Sequence, residues 1–422
     1  MVEAVTQIVK MLPSAKVLIT VNSNSACDEI GDRLLKFIGI NRMYRYYSPS
    51  FSKKMHRVNP KLQNCSNLRY GYHIQPSIQE LLSYNVIIAT LVNSGRLAGL
   101  TASHFDFVFI DECASSAEPY VVIPISNSMK KGTQFTPTIV LLGDPKQLGQ
   151  IMRTHHSERY GFNISMMERV MQLEMYKFGD GGYDPHFIVQ LTDNFRSHHS
   201  ILRYSNNQFY NSILNAKQTE QIANFAIGWK LLPNPNFPVV FHASWTKSEM
   251  DGTSQFNNGD ISFIRYYISS LLREGINGKK VQKKDIGIIS PYAAQREKIR
   301  EIYPTGVEIG TVEYFQGREK LIIILSGVRS KTPTIGFLKN EKRLNVALTR
   351  AKALLIVIGN PETLGKGVFW RKFIQMCCEN KATTGNVPGW VWKKGQTPPE
   401  TEEDEDDVVR LEEMMNGLDM EE

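Results

Sequence analysis

The sequence has no apolar run approaching the ~20 residues that span a bilayer, which argues against a transmembrane protein. Its first residues, MVEAVTQIVKMLPSAK, follow a charged amphipathic helix pattern and contain no apolar core of a signal peptide. The five cysteines are odd in number and lack paired spacing. This argues against a disulfide framework or a zinc site, and it favours a reducing compartment. No internal repeat of solenoid period is present.

Charge is plentiful but unevenly distributed. The length of 422 residues suggests two or three domains, and the hydrophobic fraction of 42% is ordinary for a globular protein. Residues 400–422 contain twelve acids and one base, a net charge of −11, so the rest carries +18, the difference between +7 and −11. We call this positively charged part, residues 1–399, the basic body. Its charge modestly favours a partner with a phosphate backbone. The acidic block EEDEDD at 402–407 predicts a polar, disordered tail over residues 381–422.

Two adjacent carboxylates, Asp111 and Glu112, close a short apolar run that begins at Phe105. Such a run fits a strand buried on both faces, and its polar end lies where open α/β sheets bind ligands. One acid could hold Mg²⁺ on the phosphates of a nucleotide, and the next could orient or deprotonate a water. For an isolated Asp-Glu pair, a solvated acidic turn would be the better interpretation. The rest of the chain decides between the two.

Further apolar runs of strand length alternate with helical patterns. This alternation predicts an α/β fold with mainly parallel sheets. The helical patterns cover residues 2–10, 26–37 and 261–273. The strand candidates are residues 17–21, 85–90, 138–143, 187–191, 239–242, 285–290, 308–312, 321–325 and 354–358, with 120–123 as a possible strand that Pro119 and Pro124 bracket.

The segment 41–84 interleaves arginine and lysine with tyrosine. This composition suits an RNA-facing excursion, because both residue types contact phosphates and bases. It suits an ordinary connection of short helices equally well. The sequence favours neither interpretation.

Polar strand ends supply an ordered set of motifs. The most specific are GDPKQLGQ (143–150), DNFRSH (193–198), TVEYFQGREK (311–320) and RLNVALTRAKALLIVIGN (343–360). With the Asp111-Glu112 pair, this order resembles the superfamily-one helicases of the Up-frameshift type. It is most similar to the Armitage-like RNA helicases, the group that includes the Moloney-leukaemia-virus-resistance helicase. The resemblance covers nearly all of residues 1–378.

The resemblance implies a nucleotide site for ATP and Mg²⁺. Asp111 would position the metal ion, Glu112 would activate water, and Gln147 would bond the γ-phosphate or that water. Arg196 and Arg350 would stabilise charge on the transferred phosphoryl group, in the role of arginine fingers. Phe195, where relatives often carry tyrosine, would stack on adenine, and Glu319 would contact the ribose. The remaining implied nucleotide-binding residues are Asp144 and Gly317.

Simpler roles stay open for two of these residues. Arg196 could merely pair with a neighbouring acid. Glu319 could form a salt bridge with a base on an adjacent strand. The agreement of motif order and context favours the nucleotide roles over these alternatives.

By the same resemblance, single-stranded RNA would contact loops at the opposite strand ends. The implied residues are Ser23, Asn24, Thr90, Pro291, Tyr292 and Thr311. Backbone amides and small hydroxyls suit phosphate and 2′-OH contacts, which carry little sequence information. Binding is therefore expected to tolerate sequence changes and to weaken with salt. For Thr90, Pro291 and Tyr292, ordinary turn roles are nearly as well supported.

The sequence contains no Gly-x-x-x-x-Gly-Lys-Ser/Thr loop, which cradles phosphates in such proteins. In the family this loop lies just before the helix represented here by residues 2–10. The expected fold is therefore α/β with two RecA-like domains, residues 1–182 and 183–380, the first lacking its N-terminal strand and P-loop. Without the loop's N–H groups and lysine, the chain is expected to hydrolyse ATP poorly or not at all.

The family implies an ATP-dependent RNA helicase that translocates along single strands and remodels ribonucleoprotein in silencing or decay. The expected setting is a cytoplasmic monomer, with ribonucleoprotein granules and silencing or decay proteins as possible surroundings and no membrane partner. An ATPase-deficient RNA-binding fragment and a DNA helicase of the same superfamily remain the alternatives.

Overall fold

The computed structural model describes residues 1–51, 58–69, 72–99, 104–129, 137–150, 155–179, 182–332 and 334–389. The chain divides into two compact units. The first comprises Met1–Pro145 and Gly149–Val189, and the second comprises Lys146–Leu148 and the chain from Gln190 onward. The predicted disordered tail covers residues 381–422, and it is wrong for residues 381–389, where Thr383–Thr384 form a strand that pairs with Phe241 and His242. The rest of the predicted tail, from residue 390 onward, lies outside the described residues. No helix of the described part is long and apolar enough to cross a membrane.

A five-stranded parallel sheet forms the centre of the first unit, in the order β2-β5-β1-β6-β7. A short antiparallel pair, β3 with β4, lies outside it. The strands are β1 (Val17–Val21), β2 (Met43–Arg45), β3 (Leu68–Arg69), β4 (Tyr72–His73), β5 (Val86–Thr90), β6 (Phe107–Ile110) and β7 (Thr138–Leu141). The helices are α1 (Val2–Met11), α2 (Asn24–Leu34), α3 (Pro60–Asn64), α4 (Ile78–Ser83), α5 (Leu91–Ser94), α6 (Glu118–Ser128), α7 (His155–Arg159) and α8 (Met166–Val170).

Alternate residues of the central strands enter two apolar clusters on the two faces of this sheet. Val17, Ile19 and Val21 of β1 belong to one cluster, and Leu18 belongs to the other. All five residues of β1 are buried. This two-sided burial explains why continuous apolar runs, rather than alternating ones, predicted these strands.

A six-stranded parallel sheet, in the order β14-β13-β15-β16-β10-β17, forms the centre of the second unit. Two smaller pairs, parallel β8-β9 and antiparallel β11-β12, accompany it. The strands are β8 (Asp193–Asn194), β9 (Asn215–Ala216), β10 (Val239–Ala243), β11 (Glu249–Asp251), β12 (Ser254–Phe256), β13 (Ile286–Ile289), β14 (Glu308–Gly310), β15 (Lys320–Ser326), β16 (Ala351–Gly359) and β17 (Thr383–Thr384). The helices are α9 (His199–Phe209), α10 (Glu220–Ala223), α11 (Asn258–Glu274), α12 (Ala293–Ile302), α13 (Glu341–Leu348), α14 (Pro361–Leu364) and α15 (Val368–Glu379).

The predicted α/β fold with two mainly parallel sheets is confirmed, and it is consistent with two RecA-like domains. The possible strand at residues 120–123 is a helix instead, and the strand prediction for residues 187–191 is wrong. Residues 120–123 lie inside helix α6, where Pro119 is tolerated because it occupies the first turn. Residues 187–191 form no strand, and Val189 and Leu191 are 78% and 84% exposed.

The segment 41–84 supplies sheet and core where it is described. It contributes strand β2, and Tyr44, Tyr46 and Tyr47 are at most 1% exposed. Arg45 is also fully buried. These residues favour the interpretation as a structural connection over the RNA-facing one.

Candidate functional site

Asp111 directly follows β6, the strand that lies between β1 and β7 in the first sheet. Its backbone N–H donates to the carbonyl of Thr20 at 2.8 Å, which continues the pairing with β1 for one more residue. Its Oδ1 accepts the backbone N–H of Glu112 at 3.0 Å. Burial raises the pKa of Asp111, and the hydrogen bond from Glu112 opposes that shift. The carboxyl group is thus half-buried at the carboxyl end of a parallel strand.

Glu112 occupies a left-handed conformation, with φ 54° and ψ 32°. This conformation is uncommon for a residue with a side chain, and such strain concentrates at functional turns. Its carbonyl accepts the hydroxyls of Ser115 at 3.0 Å and Ser116 at 2.8 Å. These bonds stabilise the turn in which the backbone leaves the direction of β6.

The loop after β7 passes close to this turn. A Cβ on Gly143 would lie 2.9 Å from the backbone nitrogen of Ala114, so a larger residue would push the two loops apart. Gly143 leads directly to the half-buried Asp144. The glycine therefore lets the candidate residue Asp144 approach the Asp111-Glu112 turn.

Gln147 lies in the short segment Lys146–Leu148, which belongs to the second unit. Leu148 packs in an apolar cluster of that unit. The side-chain amide of Asn345 donates to the carbonyl of Lys146 at 2.8 Å. Contacts on either side thus fix the backbone around Gln147, and its own side chain is half-buried.

The candidate RNA residues of the first unit follow β1 and β5. Ser23 caps helix α2, and its Oγ accepts the N–H of Ala26 at 3.2 Å. Asn24 begins that helix, and Thr90 ends β5 and precedes helix α5. These strands run parallel to β6, so Ser23, Thr90 and Asp111 all lie at one edge of the sheet. The expectation of opposite strand ends is therefore wrong for this unit.

Arg196 and Glu319 are joined in the second unit. Nε of Arg196 donates to Oε2 of Glu319 at 2.6 Å, and Nζ of Lys352 lies 2.8 Å from Oε1 of Glu319. Burial alone would raise the pKa of Glu319, but the hydrogen bonds from Lys352 and Arg196 lower it overall. Phe195 is 69% exposed beside this ion pair. Both alternatives left open by the sequence, an acid for Arg196 and a base for Glu319, are therefore present.

Arg350 joins helix α13 to strand β16. Its side chain is 1% exposed, and its guanidinium donates to the carbonyl of Val346 at 3.0 Å and to Oγ1 of Thr349 at 3.0 Å. Its own carbonyl accepts the N–H of Lys320, the residue after Glu319. Arg350, Glu319 and Lys352 thus gather at the amino end of β15 and β16.

The second unit's candidate RNA residues lie at the other end of the same sheet. Pro291 and Tyr292 follow β13, and Thr311 follows β14. Tyr292 is 3% exposed and Thr311 is 5% exposed, so neither side chain is open to stack against or contact a base. In this unit the nucleotide and RNA candidates occupy opposite edges, as expected. Gly317, with φ 74°, forms the exposed turn before β15.

The sequence did not reveal the role of Lys352, and it placed Arg45 only within the segment 41–84, without its buried partners. Lys352 holds the second carboxylate oxygen of Glu319. Nη2 of Arg45 donates to Oδ1 of Asn24 at 2.8 Å. The sequence signal for Arg45 was its position as the one cation in the run MYRYY. A cation in a buried run must find hydrogen-bond partners, because burying an unpaired guanidinium is costly.

The first unit fits Mg²⁺ through one carboxylate. Mg²⁺ is usually held by one or two carboxylates together with substrate phosphates, and the Asp111 carboxyl at a strand end meets that requirement. No group of three or more His, Cys, Asp or Glu side chains able to hold a metal ion occurs in the described parts of the chain. All five cysteines are free and buried, and burial raises the pKa of Cys27 to about 11. The five cysteines therefore serve packing.

Family models described as an AAA domain match residues 73–153 and 162–362. The chain is 39% identical to the putative helicase mov-10-B.1 of Danio rerio, over 91% of this chain and 40% of that protein. It is 37% identical to the putative helicase MOV-10 of Gallus gallus, over 91% of this chain and 43% of that one. It is 30% identical to the ATP-dependent helicase upf1 of Schizosaccharomyces pombe, over 86% of this chain and 41% of that one. The chain thus spans about two fifths of these relatives' length.

Among solved structures, the arterivirus nonstructural protein 10 helicase is similar at a TM-score of 0.44 and 13% identity. That match covers 85% of this chain and 56% of the viral one.

Proposed function

Since the chain belongs to the UPF1-like superfamily-one helicases, in the group related to MOV10 and Armitage, we propose that it forms the RNA-binding and ATP-hydrolysing core of an RNA helicase. The observation that carries this proposal is the Asp111-Glu112 turn at the carboxyl end of β6. Ligands of open α/β sheets bind at such strand ends. A half-buried carboxyl followed by a strained acidic residue suits metal-assisted attack of water on a phosphate.

In this proposal each acid has one task. Asp111 would hold Mg²⁺, which supplies charge neutralisation on the phosphates when it is bound. Glu112 accepts a proton from the attacking water, and the serine-anchored turn fixes its backbone for that purpose. Gln147 orients the water or the γ-phosphate through its amide. Asp144 lies on the neighbouring loop, and Gly143 permits its close approach.

In the second unit, Arg196 and Arg350 would stabilise negative charge on the transferred phosphoryl group. Arg196 is held by Glu319, and Arg350 is held by Val346 and Thr349. Such preorganisation avoids the entropic cost of ordering long side chains during the reaction. Exposed Phe195 is the proposed surface for adenine, and Glu319 and Gly317 complete the nucleotide set.

Single-stranded RNA is the proposed substrate strand. In the first unit, Ser23, Asn24 and Thr90 supply small polar groups at the ends of buried strands. In the second unit, Pro291 and Tyr292 are buried, so the proposed contacts come from the backbone of their loop and not from the tyrosine ring. Contacts of this kind read the phosphate and the 2′-OH rather than the base. The proposed setting is cytoplasmic remodelling of ribonucleoprotein in silencing or decay.

RNA binding is tested directly by fluorescence anisotropy of a labelled single-stranded oligouridine titrated with the purified chain. The expected result is saturable binding whose affinity falls steeply with salt. Unlabelled RNA and DNA strands of identical sequence are then compared as competitors. Preferential competition by RNA supports an RNA helicase core, equal competition favours the DNA-helicase alternative, and lack of binding at low salt rejects the proposal.

A specific observation favours a second candidate, an RNA-binding module without ATP turnover. The 422 residues contain no Gly-x-x-x-x-Gly-Lys-Ser/Thr loop. The two candidates are separated by fusing a segment with such a loop ahead of Met1, which we call the loop chimera. RNA-stimulated ATP hydrolysis by the loop chimera, together with little turnover by the chain alone, supports an enzyme core that needs the loop. Absence of turnover in both proteins supports the inert module.

A further inference from the structure

Arg45 is a fully buried cation on β2, the outermost strand of the first sheet. Burying a guanidinium is costly unless its N–H groups find acceptors. Here each of its three nitrogens has one. Nε donates to Oδ1 of Asp28 at 2.8 Å, Nη1 donates to the carbonyl of Tyr46 at 2.9 Å, and Nη2 donates to Oδ1 of Asn24 at 2.8 Å. The guanidinium therefore ties the start of helix α2 to the sheet.

The ring of Tyr47 supports this arrangement from one side. The guanidinium carbon of Arg45 lies 3.9 Å from the ring centroid, and the Tyr47 hydroxyl donates to the same Asp28 oxygen at 2.8 Å. Stacking and a shared acceptor fix the plane of the guanidinium. A fixed plane in turn fixes the direction of its bond to Asn24.

The contact with Arg45 also decides which way the Asn24 amide points. Arginine has only donors, so it can pair only with the amide oxygen of Asn24. The amide nitrogen must then be the end that Asn24 presents away from the guanidinium. Asn24 is half-buried at the first residue of helix α2. A ligand that meets this end must supply a hydrogen-bond acceptor, such as a phosphate oxygen, a 2′-hydroxyl or a base carbonyl.

We propose that Arg45 is a positioning residue for RNA binding, which holds Asn24 so that its amide nitrogen donates to an acceptor on the strand. The proposal rests on the proposed function, because it deepens the role of the Asn24 loop. Arg45 is too buried to touch RNA itself. Its role is to select one of the two orientations of the Asn24 amide and to prevent the flip that would offer an oxygen to the phosphate.

The test is a double-mutant cycle on the full chain, with oligouridine anisotropy as the readout. Asn24→Ala is expected to weaken binding about tenfold, the effect of losing one hydrogen bond to a charged acceptor. Arg45→Met is expected to weaken binding by a similar factor. Because both changes remove the same contact, the double variant is expected to bind within about twofold of either single variant.

Asn85→Ala is the matched control for lost stability. Asn85 is buried at the amino end of the same sheet, and its side-chain amide donates to the carbonyls of Pro13 at 2.8 Å and Ala15 at 2.9 Å, away from Arg45, Tyr47 and Asn24. It should lower the melting temperature and leave RNA affinity unchanged. If Arg45→Met does not fold, Arg45→Lys takes its place, because an ammonium keeps the charge beside Asp28 but lacks the planar fork that holds Asp28 and Asn24 through separate nitrogens. The lysine variant is then expected to weaken binding several-fold.

The outcomes separate this inference from the proposed function. If the unmodified chain does not bind RNA at low salt, the proposed function fails and the inference fails with it. If the chain binds and Asn24→Ala weakens binding, but neither Arg45 variant does, the inference alone is overturned. Fully additive losses in the double variant also overturn it, because Arg45 would then act independently of Asn24.

Discussion

Arg196 and Glu319, which are 123 residues apart in the chain, form an ion pair through Nε and Oε2 at 2.6 Å. Lys352 occupies the other carboxylate oxygen at 2.8 Å. Arg196 and Glu319 were both predicted for the nucleotide site, and their pairing was also the simpler alternative. The ion pair is compatible with the nucleotide role as well as with the purely structural one, since an arginine held by a carboxylate is preorganised for a phosphate. Substitutions can separate the two roles.

In the loop chimera, Arg196→Ala should reduce RNA-stimulated ATP turnover on the order of 10³-fold, the usual contribution of an arginine finger. Glu319→Gln breaks the same ion pair but leaves the guanidinium in place. It should therefore raise the KM for ATP more than it lowers kcat. Steady-state kinetics of both variants checks this. Equal and small effects of the two substitutions would reduce Arg196 to a structural partner of Glu319.

Arg350→Ala in the loop chimera should also cost on the order of 10³-fold in turnover. The guanidinium is buried and bonded to Val346 and Thr349, so the substitution will also lower thermal stability. Turnover is therefore measured well below the melting temperature of the variant, with oligouridine affinity as the control for a folded RNA site. A barely altered rate with intact RNA binding would remove Arg350 from the nucleotide site.

Asp260, in α11 of the second unit, predicts a pH dependence of stability. It is 1% exposed, and it accepts the Ser326 hydroxyl at 3.0 Å and the Val328 N–H at 3.2 Å. Burial raises its pKa from 3.8 to about 6, despite hydrogen bonds that oppose the shift. The folded protein thus holds this proton more tightly than the unfolded chain. Its contribution is favourable at low pH, is lost as pH rises from about 4 to about 6, and stays lost above that range.

Asp260→Asn should remove this dependence, because an amide resembles the protonated acid. The variant's free energy of unfolding relative to the unmodified chain should rise by about 2–3 kcal/mol between about pH 4 and about pH 7, given about 1.36 kcal/mol for each pKa unit. Urea unfolding of both proteins across that range provides the measurement. A difference that stays constant with pH would show that Asp260 does not titrate there.

The acidic residues 400–422 lie outside the described part of the chain, and their effect is predicted from charge alone. If they compete with RNA for the basic body, deleting them should strengthen oligouridine binding at low salt and have little effect at high salt. A neutral Gly/Ser segment of equal length is the matched control. Equal affinity of the deleted, neutral and unmodified chains would reject the competition.

Buried parallel strands were the most predictable part of this fold. Runs such as VLITV and LIIIL are apolar at consecutive positions because helices and loops cover both faces of their sheets. Helix α6 was harder to predict, because YVVI has strand-like composition and Pro124 lies inside the helix. The run FIVQL at residues 187–191 was wrongly predicted to be a strand, because its apolar composition does not ensure burial and Val189 and Leu191 are exposed.

The candidate site was predictable as a set of motifs but not as a set of contacts. The order of motifs placed Glu319 and Arg196 in one site, yet Lys352 became visible as a partner only once β15 and β16 were seen side by side. Arg45 was hidden because arginine in a tyrosine-rich segment looks like a surface residue. Its partners Asp28 and Asn24 lie on a helix 17 and 21 positions away, and only folding brings them together.

Glu112 gives the most direct test of the central claim that the turn after β6 activates water for ATP hydrolysis. The measurement is RNA-stimulated phosphate release by the loop chimera with and without Glu112→Gln, alongside binding of a fluorescent ATP analogue. Nucleotide and RNA affinities should stay within a few-fold, while turnover should fall by about 10³-fold or more, since proton acceptance is lost without a change of shape. Turnover that stays within a few-fold of the unmodified chimera would contradict the account.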